Sequence, residues 1–326
     1  MMSNFYDPPS PSEAEITIIG TGGYGESIVV HLGNGKWAIV DSCIDPNTKE
    51  CLPLEYLRKL GIPVETGVDL IVATHWHDDH ILGISEILAA SENAKMVCAR
   101  ATDIRKFLRL LAFDYEKIRL TKGNTSTVEF NKCIEILENR DSLIFISANE
   151  NKKLREYILD PDLKTEIFSL SPSDFTLQNF DQELSALITE YGVSSKKIPN
   201  DSPNAKSVAL YLKLGNQAAI LGADLEVSTN PLEGWHNVLN NCTILSQKAT
   251  LFKIPHHGSQ NGYQAQIFEK FLERNPISGL TPWNKGAGLP NIEMLQTYCS
   301  HSTSVYMTKA SISKKKPKKR HRSLSK

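Results

Sequence analysis

The sequence lacks the features that would assign it to several large protein classes. No apolar run approaches the roughly 20 residues that a membrane-spanning helix needs, and the first residues lack the basic and apolar blocks of a signal peptide. The six cysteines are scattered, without the short spacing of a zinc ribbon. Neither a G-x-S-x-G elbow nor a P-loop occurs. We expect a cytoplasmic protein with reduced thiols and with neither serine-hydrolase nor P-loop chemistry.

A glycine-rich loop near the start resembles a dinucleotide-binding fingerprint without its context. Residues 20–25 fit G-x-G-x-x-G, and Asp41 follows at about the distance of a ribose-binding acid. That fingerprint requires a helix next, but residues 26–32 are short and β-branched, and a Gly-Asn-Gly turn and a second β-rich stretch follow. The pattern predicts an antiparallel meander that ends at Asp41.

The densest group of metal-ligand side chains lies at residues 74–80, which read Thr-His-Trp-His-Asp-Asp-His. An apolar strand pattern at 68–73 precedes it, and an amphipathic helix pattern at 81–88 follows. Neutral imidazole and carboxylate are ligands that Zn²⁺ binds. The alternative is a polar turn with chance histidines, but the chain has only 9 histidines, so we favour a metal site on a strand-to-helix turn.

The run from His75 to His80 matches the H-x-H-x-D-H signature and therefore resembles the metallo-β-lactamase superfamily. The resemblance implies a four-layer αββα sandwich, an α/β fold, with a dinuclear metal site. It also implies that Asp41 braces the metal loop and is not itself a ligand.

Candidate ligands recur in the second half of the chain. Asp224 ends a predicted hairpin of strands at 207–214 and 218–224, and a strand at 250–255 leads into His256 and His257. The candidate ligands are His75, His77, Asp79, His80, Asp224, His256 and His257. We expect the first ion to be held by His75, His77 and either His256 or His257, and the second by Asp79, His80 and a bridging Asp224.

This arrangement predicts hydrolysis by a hydroxide that bridges two ions, most plainly Zn²⁺, with Mn²⁺ as the alternative. Asp79, Asp224 and His257 are the expected catalytic residues. No histidine lies between His80 and Asp224, so the superfamily's third histidine motif is missing. Asn204 or Ser207 occupies that region, and Ser259 is a candidate for substrate contact or simply a turn residue.

Further motifs narrow the resemblance to the lactamase-type domain of the DNA-uptake protein ComEC and its soluble relatives. These motifs are the loop at 22–27, the step at 204–207, the Leu-Gly-Ala-Asp run ending at Asp224, the Pro-His-His-Gly-Ser run at 255–259 and the Thr-Pro-Trp-Asn run at 281–284. The resemblance implies a phosphodiesterase or nuclease. Two alternatives remain open: a carboxylic ester, thioester or lactam hydrolase, and a metal-bearing effector in a multi-protein assembly such as a defence system.

The domain prediction is one hydrolase domain at 15–310 between an N-terminal extension at 1–14 and a basic tail at 311–326. We expect an irregular insertion at about 114–165. Eight of the 36 Lys and Arg residues lie at 314–326, although the formal net charge is only −1. The tail is expected to be disordered, and it could contact nucleic acid or merely aid solubility.

Overall fold

The computed structural model describes residues 7–23, 25–99, 126–140, 145–160, 163–191, 203–286 and 288–308. The first sheet has six strands, which follow one another in chain order across it. They are β1 (Glu15–Gly20), β2 (Glu26–His31), β3 (Trp37–Val40), β4 (Val68–Ala73), β5 (Lys95–Ala99) and β6 (Phe145–Ala148). Strands β1 to β3 pair antiparallel, which confirms the predicted meander. Strands β3 to β6 pair parallel.

The second sheet has seven strands, again in chain order. They are β7 (Lys152–Asp160), β8 (Leu163–Ser169), β9 (Leu210–Leu214), β10 (Gln217–Leu221), β11 (Ala249–Lys253), β12 (Leu272–Leu280) and β13 (Ser304–Met307). Strands β7 to β10 pair antiparallel, and β10 to β13 pair parallel. Both sheets therefore place a set of parallel carboxyl ends at one edge of the sandwich.

Helices cover the outer face of each sheet. They are α1 (Leu52–Lys59), α2 (Val64–Gly67), α3 (Asp78–Ile81), α4 (Ile84–Ala90), α5 (Ser126–Glu138), α6 (Asp174–Tyr191), α7 (Gly234–Asn241), α8 (Ala265–Lys270) and α9 (Ile292–His301). Short 3₁₀ turns occupy Pro203–Lys206, His256–Gly258 and Gln260–Gly262. In the part of the chain that is described, no helix is long and apolar enough to cross a membrane.

Three separate apolar clusters define the layers. Alternate residues of one strand enter different clusters, because successive side chains leave opposite faces of a sheet. Val29 packs with α1 and α4, whereas its neighbours Ile28 and Val30 pack between the sheets. Tyr211 and Ile220 of the second sheet pack with α7 to α9. The order helix, sheet, sheet, helix confirms the predicted four-layer αββα sandwich.

Within the predicted insertion at about 114–165, the described residues form regular secondary structure. Helix α5 packs against α4 under the metal loop, and β6 and β7 extend the two sheets. The helix was missed because it has only a weak amphipathic pattern, and β7 because its lysines and arginine alternate with few apolar residues. The basic tail predicted at 311–326 lies outside the described residues.

Candidate metal centre

The candidate ligands converge because they follow parallel strands of two facing sheets. Asp41 follows β3 and the His75–His80 run follows β4, both in the first sheet. In the second sheet, Asp224 follows β10 and His257 follows β11. The carboxyl ends of these strands meet at one edge of the sandwich, so residues almost 200 positions apart become neighbours.

Asp41 fixes the conformation of the loop after β4. One carboxylate oxygen accepts the Thr74 backbone N–H at 2.8 Å, and the other accepts the Thr74 hydroxyl at 2.7 Å. The second oxygen also lies 2.7 Å from Nδ1 of His80. Asp41 is buried, and its carboxylate therefore connects the start of the loop to the first turn of α3, as a bracing residue would.

The hydrogen bonds of Thr74 determine which ring nitrogen of His75 carries the proton. The single hydroxyl proton of Thr74 is donated to Asp41, so the hydroxyl oxygen can only accept at its contact of 3.0 Å with His75 Nδ1. His75 therefore carries its proton on Nδ1 and presents the Nε2 lone pair to the interior. A metal ion requires such a lone pair from an imidazole.

The first group of ligand atoms comprises His75, His77 and Asp224, whose atoms all lie within 4.8 Å of one another. Nε2 of His75 lies 3.0 Å from Nδ1 of His77 and 3.8 Å from Oδ2 of Asp224. Burial lowers the pKa of His75 well below its usual range, and His80 lowers it further. Burial also lowers the pKa of His77. Both rings are consequently neutral at pH 7, as metal ligands must be.

The second group of closely spaced ligand atoms comprises Glu26, His80, Asp224 and His257, and Asp79 lies against the rings of His80 and His257. Nε2 of His257 lies 3.2 Å from Oδ2 of Asp79 and 3.8 Å from Oδ2 of Asp224, while its Nδ1 donates to the carbonyl of Thr281 at 2.9 Å. Nε2 of His80 lies 3.4 Å from Oδ1 of Asp224. His257 therefore lies with Asp79 and His80. The sequence allowed His257 as the third ligand beside His75 and His77, and the structure does not place it there.

Electrostatics within this second group are strongly coupled. Burial opposes the charged ring of His80, but the carboxylates of Asp224 and Asp79 raise its pKa well above the usual range. Burial likewise opposes the charge of Asp224, yet His80 and His257 hold its pKa well below the ordinary value. The carboxylates therefore create a site that favours positive charge, either a protonated imidazole or a cation.

Two atoms at the centre of this group have no hydrogen-bond partner among the described residues. They are Nε2 of His80 and Oδ1 of Asp224, and both are buried. Buried polar atoms are nearly always satisfied, and a cation between these two atoms would satisfy both. Around a tetrahedral zinc ion, bonds of about 2.0–2.1 Å place neighbouring ligand atoms about 3.3 Å apart, close to the 3.4 Å observed. The residues present fit a divalent metal.

His256 occupies a different environment from His257. Its Nδ1 lies 2.8 Å from Oε1 of Glu226 and 3.0 Å from the Ser259 hydroxyl. Its Nε2 lies 3.3 Å from the side-chain nitrogen of Asn204. The hydrogen bond from His256 is the main cause that lowers the pKa of Glu226. Of the two adjacent histidines, only His257 belongs to the groups of closely spaced ligand atoms found in the described residues.

Three further candidates lie at the margin of the site. Asn204 and Ser207 belong to the segment beside the metal loop, because the Val208 backbone N–H donates to the carbonyl of Thr74 at 3.0 Å. Ser259 accepts a hydrogen bond from the backbone N–H of Gly262 and caps a 3₁₀ turn. This is the second of the two roles that the sequence suggested for Ser259, that of a turn residue. The structure therefore brings Asn204 and Ser207 near the first group without adding them to it.

Sequence reasoning missed several residues that support the site. Thr74 and Thr281 fix the ring orientations of His75 and His257, and Glu226 holds His256. Glu26 and Lys253 form a buried ion pair behind the histidines. A lysine that ends an apolar strand was the available signal for this pair, since a lysine is almost never fully buried without a partner.

Unusual backbone conformations cluster around the ligands. Asp41, Ala223, His256 and His257 all have φ between 46° and 58°, a region that non-glycine residues seldom adopt. Each is itself a candidate site residue or adjoins one. Such strain persists only where surrounding contacts impose it, and here the hydrogen bonds at the strand ends supply those contacts.

Comparison with known proteins agrees with this geometry. Residues 20–114 match the family model described as the metallo-beta-lactamase superfamily, a span that includes the complete His75–His80 run. No curated protein matches the chain in sequence.

The solved structures that are similar to the chain include the following two. One is a HARLDQ motif mutant of a metallo-beta-lactamase from Cronobacter sakazakii, with 12% identity, a TM-score of 0.38, and coverage of 75% of this chain and 79% of that one. The other is the metallo-beta-lactamase fold protein YhfI from Bacillus subtilis, with 12% identity, a TM-score of 0.45, and coverage of 90% and 96%. The family match covers residues 20–114, and the two-sheet architecture of the described residues is the fold expected for that superfamily.

Proposed function

We propose that this protein is a hydrolase that uses two divalent metal ions to cleave phosphodiesters. The observation that carries the metal dependence is the pair of buried, unpartnered atoms, His80 Nε2 and Asp224 Oδ1, which face each other at 3.4 Å. When bound, a pair of divalent ions supplies Lewis acidity and lowers the pKa of a shared water. Zn²⁺ suits this nitrogen-rich ligand set, and Mn²⁺ is the alternative.

The chain's own residues contribute orientation and charge. His75, His80 and His257 each donate Nδ1–H away from the centre, to Thr74, Asp41 and the Thr281 carbonyl respectively. Their Nε2 atoms consequently face the centre. Asp224 lies within reach of both ligand groups, so it is the residue suited to bridge two cations.

Donor groups beside the centre support an anionic substrate. His256 has a side chain that is 20% exposed, and Glu226 holds its Nδ1. The side-chain nitrogen of Asn204 lies next to it. An imidazole and an amide adjacent to a cation pair are suited to binding the non-bridging oxygens of a phosphodiester. The resemblance to ComEC-type lactamase domains supports the same substrate class.

The test is a substrate comparison with the metal-reconstituted full chain. We expect hydrolysis of bis(p-nitrophenyl) phosphate, and none of nitrocefin or p-nitrophenyl acetate. Asp79→Ala is the inactive control, because Asp79 lies against His257 at the centre. Turnover of nitrocefin or the ester without the phosphodiester would establish the carboxyl-centred alternative. If no substrate is turned over, and Asp79→Ala keeps full function in cells, the protein is a metal-bearing effector.

A further inference from the structure

A buried ion pair lies directly behind two of the candidate ligands. Lys253 is the last residue of β11 and Glu26 the first of β2, and neither side chain is more than 2% exposed. Nζ of Lys253 lies 2.5 Å and 2.6 Å from the two carboxylate oxygens of Glu26. The Thr281 hydroxyl also donates to this carboxylate. The pair therefore links the first sheet to the second at the edge where the ligands converge.

Glu26 belongs to the second ligand group, but its carboxylate faces the Nδ1 atoms of His80 and His257 rather than their Nε2 atoms. Its Oε1 lies 4.0 Å from Nδ1 of His80, and its Oε2 lies 3.7 Å from Nδ1 of His257. These two nitrogens already donate elsewhere, His80 to Asp41 and His257 to the Thr281 carbonyl. Glu26 is thus an alternative acceptor for both protons, just beyond hydrogen-bond distance.

Lys253 and Thr281 occupy both oxygens of Glu26, so the carboxylate does not compete for those protons. Without Lys253, an uncompensated buried carboxylate would attract the Nδ1–H groups and tilt both rings. The Nε2 lone pairs would then turn away from Asp224. Stability alone explains the pair poorly, because desolvation of two buried charges offsets most of their attraction.

We propose that Glu26 and Lys253 are positioning residues that align His80 and His257 for the second metal ion. This inference rests on the proposed metal-dependent function. It predicts that the pair controls the affinity for one ion and leaves the other unchanged, since Glu26 lies beside the rings of His80 and His257, whereas His75 and His77 belong to the other ligand group.

The experiment is a calorimetric titration of the metal-free full chain with zinc chloride. The test variant is Glu26→Gln/Lys253→Met, which removes both charges at nearly constant volume. The matched control is Asp69→Asn/Arg155→Met, which removes the ion pair between β4 and β7 that also links the two sheets, away from the metal centre. Each variant is first checked for a cooperative urea transition.

We expect the test variant to bind one zinc equivalent with wild-type affinity and the other 10- to 100-fold more weakly, the usual effect of removing a partner behind a ligand. The control should bind both equivalents as the wild type does. Lys253→Met alone should lower the affinity for the second zinc ion further, because the buried carboxylate of Glu26 is then left without its partner. If Lys253→Met does not fold, the result for the double variant tests the proposal. Affinity within twofold of wild type, or an equal loss in the control, overturns the proposal. Wild-type protein that binds no zinc overturns the proposed function as well.

Discussion

Nδ1 of His80 lies 2.7 Å from Oδ2 of Asp41, although 38 residues separate them in the chain. This contact holds the ring so that Nε2 faces Asp224, and it shares its carboxylate with the Thr74 hydroxyl. The orientation of His80, a predicted metal ligand, therefore depends on Asp41, which is not a predicted ligand.

Replacing Asp41 with Asn should weaken zinc binding without unfolding the protein. Asn tolerates the positive φ of this position, but its amide cannot accept from both Thr74 and His80 as a carboxylate does. We expect a 10- to 100-fold loss of zinc affinity, measured by competition with a chromophoric chelator. Asp45→Asn, which changes a carboxylate that accepts from the backbone N–H groups of Asn47 and Thr48, should retain wild-type affinity; equal losses in both variants would contradict the bracing role.

The two adjacent histidines should respond differently to substitution. His257→Ala should lose one zinc equivalent, because His257 Nε2 lies with Asp79 and Asp224. His256→Ala should retain both equivalents and lose turnover of bis(p-nitrophenyl) phosphate, because His256 contacts Glu226 and Asn204 instead. Elemental analysis of both variants measures the zinc content per chain. Loss of one zinc equivalent in His256→Ala would show that His256 is a metal ligand.

Gly222 is required where β10 approaches β11. A Cβ there would lie 2.8 Å from Cβ of Pro255 and 2.9 Å from the carbonyl oxygen of Lys253, so Gly222→Ala must displace the strand end that carries Asp224. We expect a lower urea midpoint together with weaker zinc binding. Gly35→Ala is the control: it has no neighbour within 4 Å and only a positive φ to satisfy, so it should cost about 1 kcal/mol of stability and leave zinc affinity unchanged.

The basic tail gives a prediction about nucleic acid. Removing residues 314–326 deletes eight Lys and Arg residues, and each phosphate contact that they make contributes to the salt dependence of binding. Truncated protein should bind single-stranded DNA more weakly, with a shallower slope of affinity against salt concentration in fluorescence anisotropy. An identical slope for the full chain and the truncated chain would remove the tail from nucleic-acid recognition.

Local patterns predicted much of the fold and the metal loop. The strand expected at 68–73 is β4 without a shift, since six consecutive apolar-rich residues between turn signals allow little else. The turn signal at Gly33 and Gly35 predicted the meander. The position of Asp224 at the end of a predicted strand made it a candidate ligand. Such features depend on a few neighbouring residues.

Relationships between distant residues could not be predicted in the same way. Glu26 and Lys253 are 227 positions apart, and nothing local to either indicates the other. The choice between His256 and His257 depends on a left-handed backbone at both residues, which no local pattern in the sequence indicates. Helix α5 was missed because its pattern is weakly amphipathic and its contacts with α4 are tertiary.

The most direct test of the account is the zinc content of the purified, dialysed full chain by elemental analysis. We expect about two equivalents per chain, as for two ligand groups of this kind, and a fall in zinc content when His75 and His77 are both changed to Ala. A wild-type protein that is fully folded and equally stable with no bound metal, and that takes up none when zinc is added, would contradict it.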